Sequence, residues 1–224
     1  MEFLILILLI MGASWYVGNK LQRKFDQYSK VPLQSGLSGK EIAKKMLNES
    51  GIYDVEIISV QGRLTDHYNP LNKTVNLSPD VYNGRSVAAA AVAAHECGHA
   101  IQHATAYSFL KMRSALVPVV SFASKYIPWL LIGGILLLQT FPYLLLFGIF
   151  LFATTTLFSF VTLPVEIDAS KRALNWLNST KITHGEEHVM AKDALKWAAK
   201  TYVVAALASL ATLLYYVMIY MSRR

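Results

Sequence analysis

His95-Glu96-Cys97-Gly98-His99 sets two imidazoles four residues apart, with a carboxylate next to the first. On a helix, residues i and i+4 share a face, so both rings can reach one ion at about 2.0–2.1 Å, the usual His–zinc bond length. A zinc ion pulls the pKa of its water toward about 7, and Glu96 stands where it can take the proton. The pattern therefore reads as metal-dependent peptide hydrolysis, with one Zn2+ per chain. A helix carrying two surface histidines is the bland competing reading. Against it, residues 87–94 are all alanine or valine, so the helix packs inside, where a His–Glu–His set without a cation is costly. Cys97 points off the ligand face and reads as a small packing residue rather than a fourth ligand. Gly98 reads as a point of close approach by another element.

A third ligand has to come from elsewhere, and His103 and Glu166 both qualify by type. His103 lies a further turn along the same helix, about 5–6 Å up the axis, which takes it out of reach unless the helix bends. Glu166 follows Pro164-Val165, 67 residues after His99. A carboxylate from a second helix can close a tetrahedron that keeps one position open. Substrate binding beside a strand points to Thr74, Val75, Asn76 and Leu77, which lead toward the ligand helix. Stabilising an oxyanion needs a nearby donor, for which His67, Tyr68, His184, His188 and Arg172 all remain open. His184 and His188 are also four apart, but Gly185 and the flanking charges read as a solvated loop or helix start.

These residues need a folded domain to position them. Ser38-Gly39-Lys40-Glu41 is a capping-box pattern, with Ile42, Met46 and Leu47 on one face and Gly51 as the stop. Residues 55–60 and 73–77 read as strands, separated by turn-forming Gly62 and Asn69-Pro70. After Ser78-Pro79 and Asn83-Gly84, the alanine-rich stretch from Ser86 to Met112 reads as one long helix.

The chain has 224 residues, 54% hydrophobic and only 16% charged, against roughly 25% charged in ordinary soluble domains. Four apolar stretches are long enough to serve as membrane spans: residues 1–18 as an anchor, a hairpin over 115–164 broken near Gln139-Thr140-Phe141-Pro142, and 201–224. The basic residues follow Phe3–Val17 rather than precede it, which favours an anchor over a cleaved signal. Between the spans lie 19–114, with the His-Glu-x-x-His helix, and the helical segment 165–200, with Glu166. These two segments carry eighteen of the 21 Lys+Arg, which places both in the cytoplasm; Arg223 and Arg224 are left outside. Lys125 falls inside the second span, so the span starts later than Ala115, or the side chain snorkels, or it faces a polar cavity. A net charge of +7 fits this layout. No basic stripe with interleaved aromatics points to nucleic acid, and the single cysteine excludes an internal disulfide framework.

The stretches Leu64-Thr65-Asp66-His67-Tyr68, Lys73-Thr74-Val75, Leu77-Ser78-Pro79, Gly84-Arg85-Ser86, Ala94 through Gln102, and Leu163 through Ser170 resemble the bacterial membrane-anchored neutral zinc metallopeptidases of the YugP family. The resemblance covers nearly the whole chain. It implies a zinc endopeptidase of the gluzincin type in the bacterial plasma membrane, acting on protein or peptide substrates, with His95, His99 and Glu166 as ligands and Glu96 as base. The implied fold is a mainly α integral membrane protein with four transmembrane helices and a zincin-like α+β metalloprotease domain containing a small sheet. Further protein partners are left unidentified. A more distant similarity is to HtpX-type and CAAX prenyl peptidases. Those usually place an aspartate four residues after the ligand glutamate. Here Ser170 stands at that position and Asp168 two residues earlier, and both are candidates for orienting the histidines. Two other readings compete. A site-2-like intramembrane protease needs an aspartate ligand in an Asp-Gly context, and no Asp-Gly occurs. A catalytically silent zinc-stabilised scaffold would have no use for Glu96.

Overall fold

A computed structural model describes residues 2–222. Arg223 and Arg224, assigned above to the outside, lie beyond the described residues. The chain is mainly helical, with elements α1 (Glu2–Tyr28), α2 (Gly39–Glu49), β1 (Glu56–Ser59), β2 (His67–Asn69), β3 (Thr74–Leu77), α3 (Pro79–Tyr82), α4 (Val87–Ala104), α5 (Ser108–Leu136), α6 (Tyr143–Ser179) and α7 (Gly185–Met221). Four helices, α1 from Leu4 together with α5, α6 and α7, are long and apolar enough to cross a membrane. Contacts divide the chain into two units. One contains the N-terminal helix through Tyr16, Ser108–Pro164 and the residues from Thr201 onward; the other contains Val17–Tyr107 and Val165–Lys200.

In the first unit, Ala123, Ile127 and Leu131 of α5 form a buried cluster with Leu145, Ile149 and Leu151 of α6, and α7 adds Leu213, Tyr216 and Val217. Helix α5 begins at Ser108, seven residues before the apolar stretch read from sequence, and the single helix expected over Ser86–Met112 is broken: α4 ends at Ala104 and Ala106 takes a left-handed φ of 55°, a conformation no helix continues through. Lys125 is exposed on α5.

The second unit is built around α4. Its alanines and valines are small enough for neighbours to approach on several sides, and residues 87–91 are buried. Helix α2 packs on it through Ile42, Met46 and Leu47, which are at most 2% exposed; each such burial contributes about 1.5–3 kcal/mol. The capping box at the start of α2 is formed in full. Glu41 N–H donates to Ser38 Oγ at 3.3 Å, and Ser38 N–H donates to Glu41 Oε2 at 2.7 Å. Helix α4 starts in a similar way, with Ala89 N–H donating to the Ser86 side chain at 3.2 Å.

The sheet has the order β1-β3-β2, with β1 parallel and β2 antiparallel to β3. This corrects the substrate-strand assignment. Thr74, Val75 and Asn76 of the central strand are paired on both sides and Leu77 on the β1 side, and all four are buried, so the strand has no free edge to offer a peptide. The polar side chains of β3 are also engaged: Asn76 Nδ2 donates to Thr74 Oγ1 at 3.0 Å and to the His67 carbonyl at 3.2 Å. Strand β2 falls where the sequence reads as a turn region, since three residues held only by pairing with β3 leave no alternation to read.

Candidate metal centre

The N-capped α4 presents His95 and His99 on one face, and α6 brings Glu166 to them from the stretch after Pro164, which belongs to the same unit as α4. Glu166 Oε2 lies 3.2 Å from His95 Nε2 and 3.5 Å from His99 Nε2. One ligand atom from each residue falls within 4.8 Å of the others. Donors about 2.0–2.2 Å from a common ion at tetrahedral angles stand roughly 3.3–3.6 Å apart, so the 3.5 Å spacing to His99 falls inside that range and the 3.2 Å spacing to His95 just below it. His99 and Glu166 are buried, as is Glu96, which follows His95 in the chain. Two imidazole nitrogens and one carboxylate oxygen are the donor set that zinc accepts.

The electrostatics point the same way. Burial lowers the His99 pKa, but the hydrogen bond to Glu166 and the charges of Glu96 and Glu166 outweigh it and leave the ring above its ordinary value. Burial likewise pushes the Glu166 carboxyl up, and hydrogen bonds from His95 and His99 overcome this, holding it well below the usual carboxylate range. The field in this pocket retains positive charge, which is the field a cation requires.

The remaining residues singled out in the sequence fall as follows. His103 is not among the converging atoms; its Nδ1 is hydrogen-bonded to the Tyr68 hydroxyl on β2 at 2.8 Å. Ser170 Oγ is hydrogen-bonded to His95 Nδ1 at 3.1 Å. Asp168 reaches His99 only through Gln102, a residue the sequence reading passed over. Gln102 Nε2 donates to Asp168 Oδ2 at 2.8 Å, and its Oε1 lies 3.0 Å from His99 Nδ1. The available signal was a polar side chain three residues past a ligand on an otherwise apolar helix. Among the candidate oxyanion donors, Arg172 pairs with Asp168 at 2.6 Å, His67 Nδ1 lies 2.8 Å from the Thr65 carbonyl, and His188 Nδ1 lies 3.1 Å from Thr183 Oγ1. His184 precedes α7 and faces Glu187 at 3.9 Å. Cys97 is buried on the α2 side, with Sγ 3.6 Å from the Ala43 carbonyl, and burial pushes its thiol pKa up.

At Gly98 the backbones of α4 and α6 approach closely, since a Cβ there would stand 2.6 Å from the Ala169 carbonyl oxygen. Backbone cannot yield as a side-chain tip can. Gly98→Ala is therefore expected to cost about 1–3 kcal/mol of stability, lowering the midpoint of thermal unfolding. A midpoint equal to the parent's would show that the approach of the two helices is not tight.

A chain with four helices apolar enough to cross a membrane, whose His-Glu-x-x-His helix meets a carboxylate from a second helix with only His95 of the three donors partly exposed, has the features of a membrane zinc metallopeptidase. Comparison with known proteins agrees. Residues 3–221 match the model of a family described as "putative neutral zinc metallopeptidase", and the chain belongs to that family. It is 43% identical over 224 residues to a protein of Bacillus subtilis (strain 168) named "putative membrane protease YugP", covering all of this chain and 99% of that one. No solved structure matches.

Proposed function

We propose that this protein is a membrane-embedded zinc metalloendopeptidase of the gluzincin type, with a zincin-like domain that hydrolyses peptide bonds in protein or peptide substrates. The observation that carries the reading is the meeting of His95, His99 and Glu166 beside a buried carboxylate, Glu96. Zinc held by the three ligands would supply Lewis acidity to the water and the scissile carbonyl. Glu96 takes a proton from the attacking water as its oxygen adds to the carbonyl carbon. It then returns that proton to the amine nitrogen as the C–N bond breaks, so the carboxylate is regenerated in each cycle. The reading is tested by hydrolysis of an unfolded protein by the purified chain, compared with a variant that lacks the Glu96 base.

The same proposal includes an arrangement in the membrane. Residues 1–18, 115–164 and 201–224 cross it, and 19–114 and 165–200 lie in the cytoplasm, because the basic residues are concentrated there. Cysteines introduced at exposed Lys73 or Lys181 are expected to resist a membrane-impermeant thiol reagent in intact cells and to react once the cells are opened. The native Cys97 is fully buried and adds little background. Labelling of either site from outside would reverse the orientation without touching the chemistry.

A further inference from the structure

Gln102 is fully buried on α4, and chemistry alone fixes which way its amide points. Its polar neighbours are the Val165 carbonyl at 2.8 Å, Asp168 Oδ2 at 2.8 Å and His99 Nδ1 at 3.0 Å. A backbone carbonyl and a carboxylate only accept, so both must face the NH2, which carries two donors. Oε1 is left for His99, and because a carbonyl oxygen only accepts, the ring proton must sit on Nδ1. In the neutral ring, the form that binds a metal, Nε2 then carries the lone pair and faces Glu166, 3.5 Å away. His95 has no such constraint. Its partner, the Ser170 hydroxyl, both donates and accepts, so it accommodates either tautomer.

We propose that Gln102 is the positioning residue for His99, fixing its tautomer and ring plane, and that Asp168 acts on the metal site only through this amide. The proposal rests on the reading of His95, His99 and Glu166 as zinc ligands. It also gives the amide a second task. One of its N–H groups holds the carbonyl of Val165, the residue before Glu166, so a single side chain ties the ligand face of α4 to the ligand turn of α6. Ser170, four residues after Glu166, serves His95, so Asp168 and Gln102 form a separate relay to His99.

A side chain that only filled space would tolerate any replacement of equal shape, and this separates the two roles. Gln102→Glu keeps the shape and can still accept from His99, but it turns oxygen lone pairs toward the Val165 carbonyl and the Asp168 carboxylate. In the full-length protein in detergent, zinc affinity measured by competition with a chelator is expected to fall about 10–100-fold, the usual effect of losing an outer partner of a ligand. Asp168 Oδ2 accepts from both the Gln102 amide and Arg172, so no change at Asp168 restores the pairing, and the tautomer is read instead in the parent. In imidazole 15N spectra of the zinc-free parent at alkaline pH, where the rings are neutral, His99 is expected to hold its proton on Nδ1.

Unchanged affinity in Gln102→Glu overturns the proposal, and so does a His99 ring protonated on Nε2 in the neutral, zinc-free parent. If the variant does not accumulate as folded protein, the parent's spectra decide, because they need no substitution. Glu166→Ala measured alongside separates the two levels. Zinc lost from Glu166→Ala but kept in Gln102→Glu defeats only the role of Gln102. Zinc kept in Glu166→Ala defeats the ligand reading, and the role of Gln102 falls with it.

Discussion

Glu96→Gln is expected to retain zinc and fold normally while hydrolysing peptide at least about 100-fold more slowly than the parent, the low end of what a positioned general base contributes. Glutamine has the same length and hydrogen-bonding reach but cannot accept the water's proton at neutral pH. Glu96 is also not one of the three converging donors, so metal content should survive the change. Metal analysis and a peptide-cleavage assay on the same preparation read both halves of the expectation. Cleavage at the parental rate would remove Glu96 from the mechanism. A parent that binds zinc and cleaves nothing would favour the silent scaffold instead.

Glu166→Ala should lose zinc by more than the about 10–100-fold that follows removal of an outer partner, because the charged donor of a three-ligand set disappears. The change also leaves His95 and His99, with ring centroids 4.8 Å apart, without the carboxylate that lies between 3.2 and 3.5 Å from both. His103→Ala should leave metal content nearly unchanged, since that ring is hydrogen-bonded to Tyr68. Metal analysis of the two purified variants decides between them. Zinc lost from the His103 variant and retained in the Glu166 variant would reverse the assignment.

Where local chemistry decides the conformation, the sequence was readable. The Ser38–Glu41 capping box, the start of the alanine-rich α4 and strands β1 and β3 all follow from residue types within a few positions, and the structure contains each of them, whereas the end of α4 at Ala104, short of the expected Met112, has no glycine or proline to announce it. The meeting of Glu166 with the two histidines was reached by excluding His103 on helix geometry and by resemblance. Strand order was not readable, because Thr74-Val75-Asn76-Leu77 alternates like a half-exposed strand while its neighbours on both sides are chosen by tertiary pairing. Asn76 resembles a surface residue in sequence, yet it is buried by bonding to Thr74 and to β2. Gln102 escaped for the same reason, since its partners, Val165 and Asp168, lie more than sixty residues away.

That same separation of α4 from Glu166 sets an order of events at the ribosome. Synthesis delivers His95, Glu96 and His99 first, then the whole stretch from Ser108 to Pro164, and only afterwards the carboxylate that completes the metal site. On the function proposed above, a nascent chain whose α5 has emerged but whose α6 has not would carry the base and two ligands without the third. Competence to cut peptide bonds would then arise only after both of those apolar helices have been made, which would leave an unfinished or truncated copy harmless to the proteins being made around it.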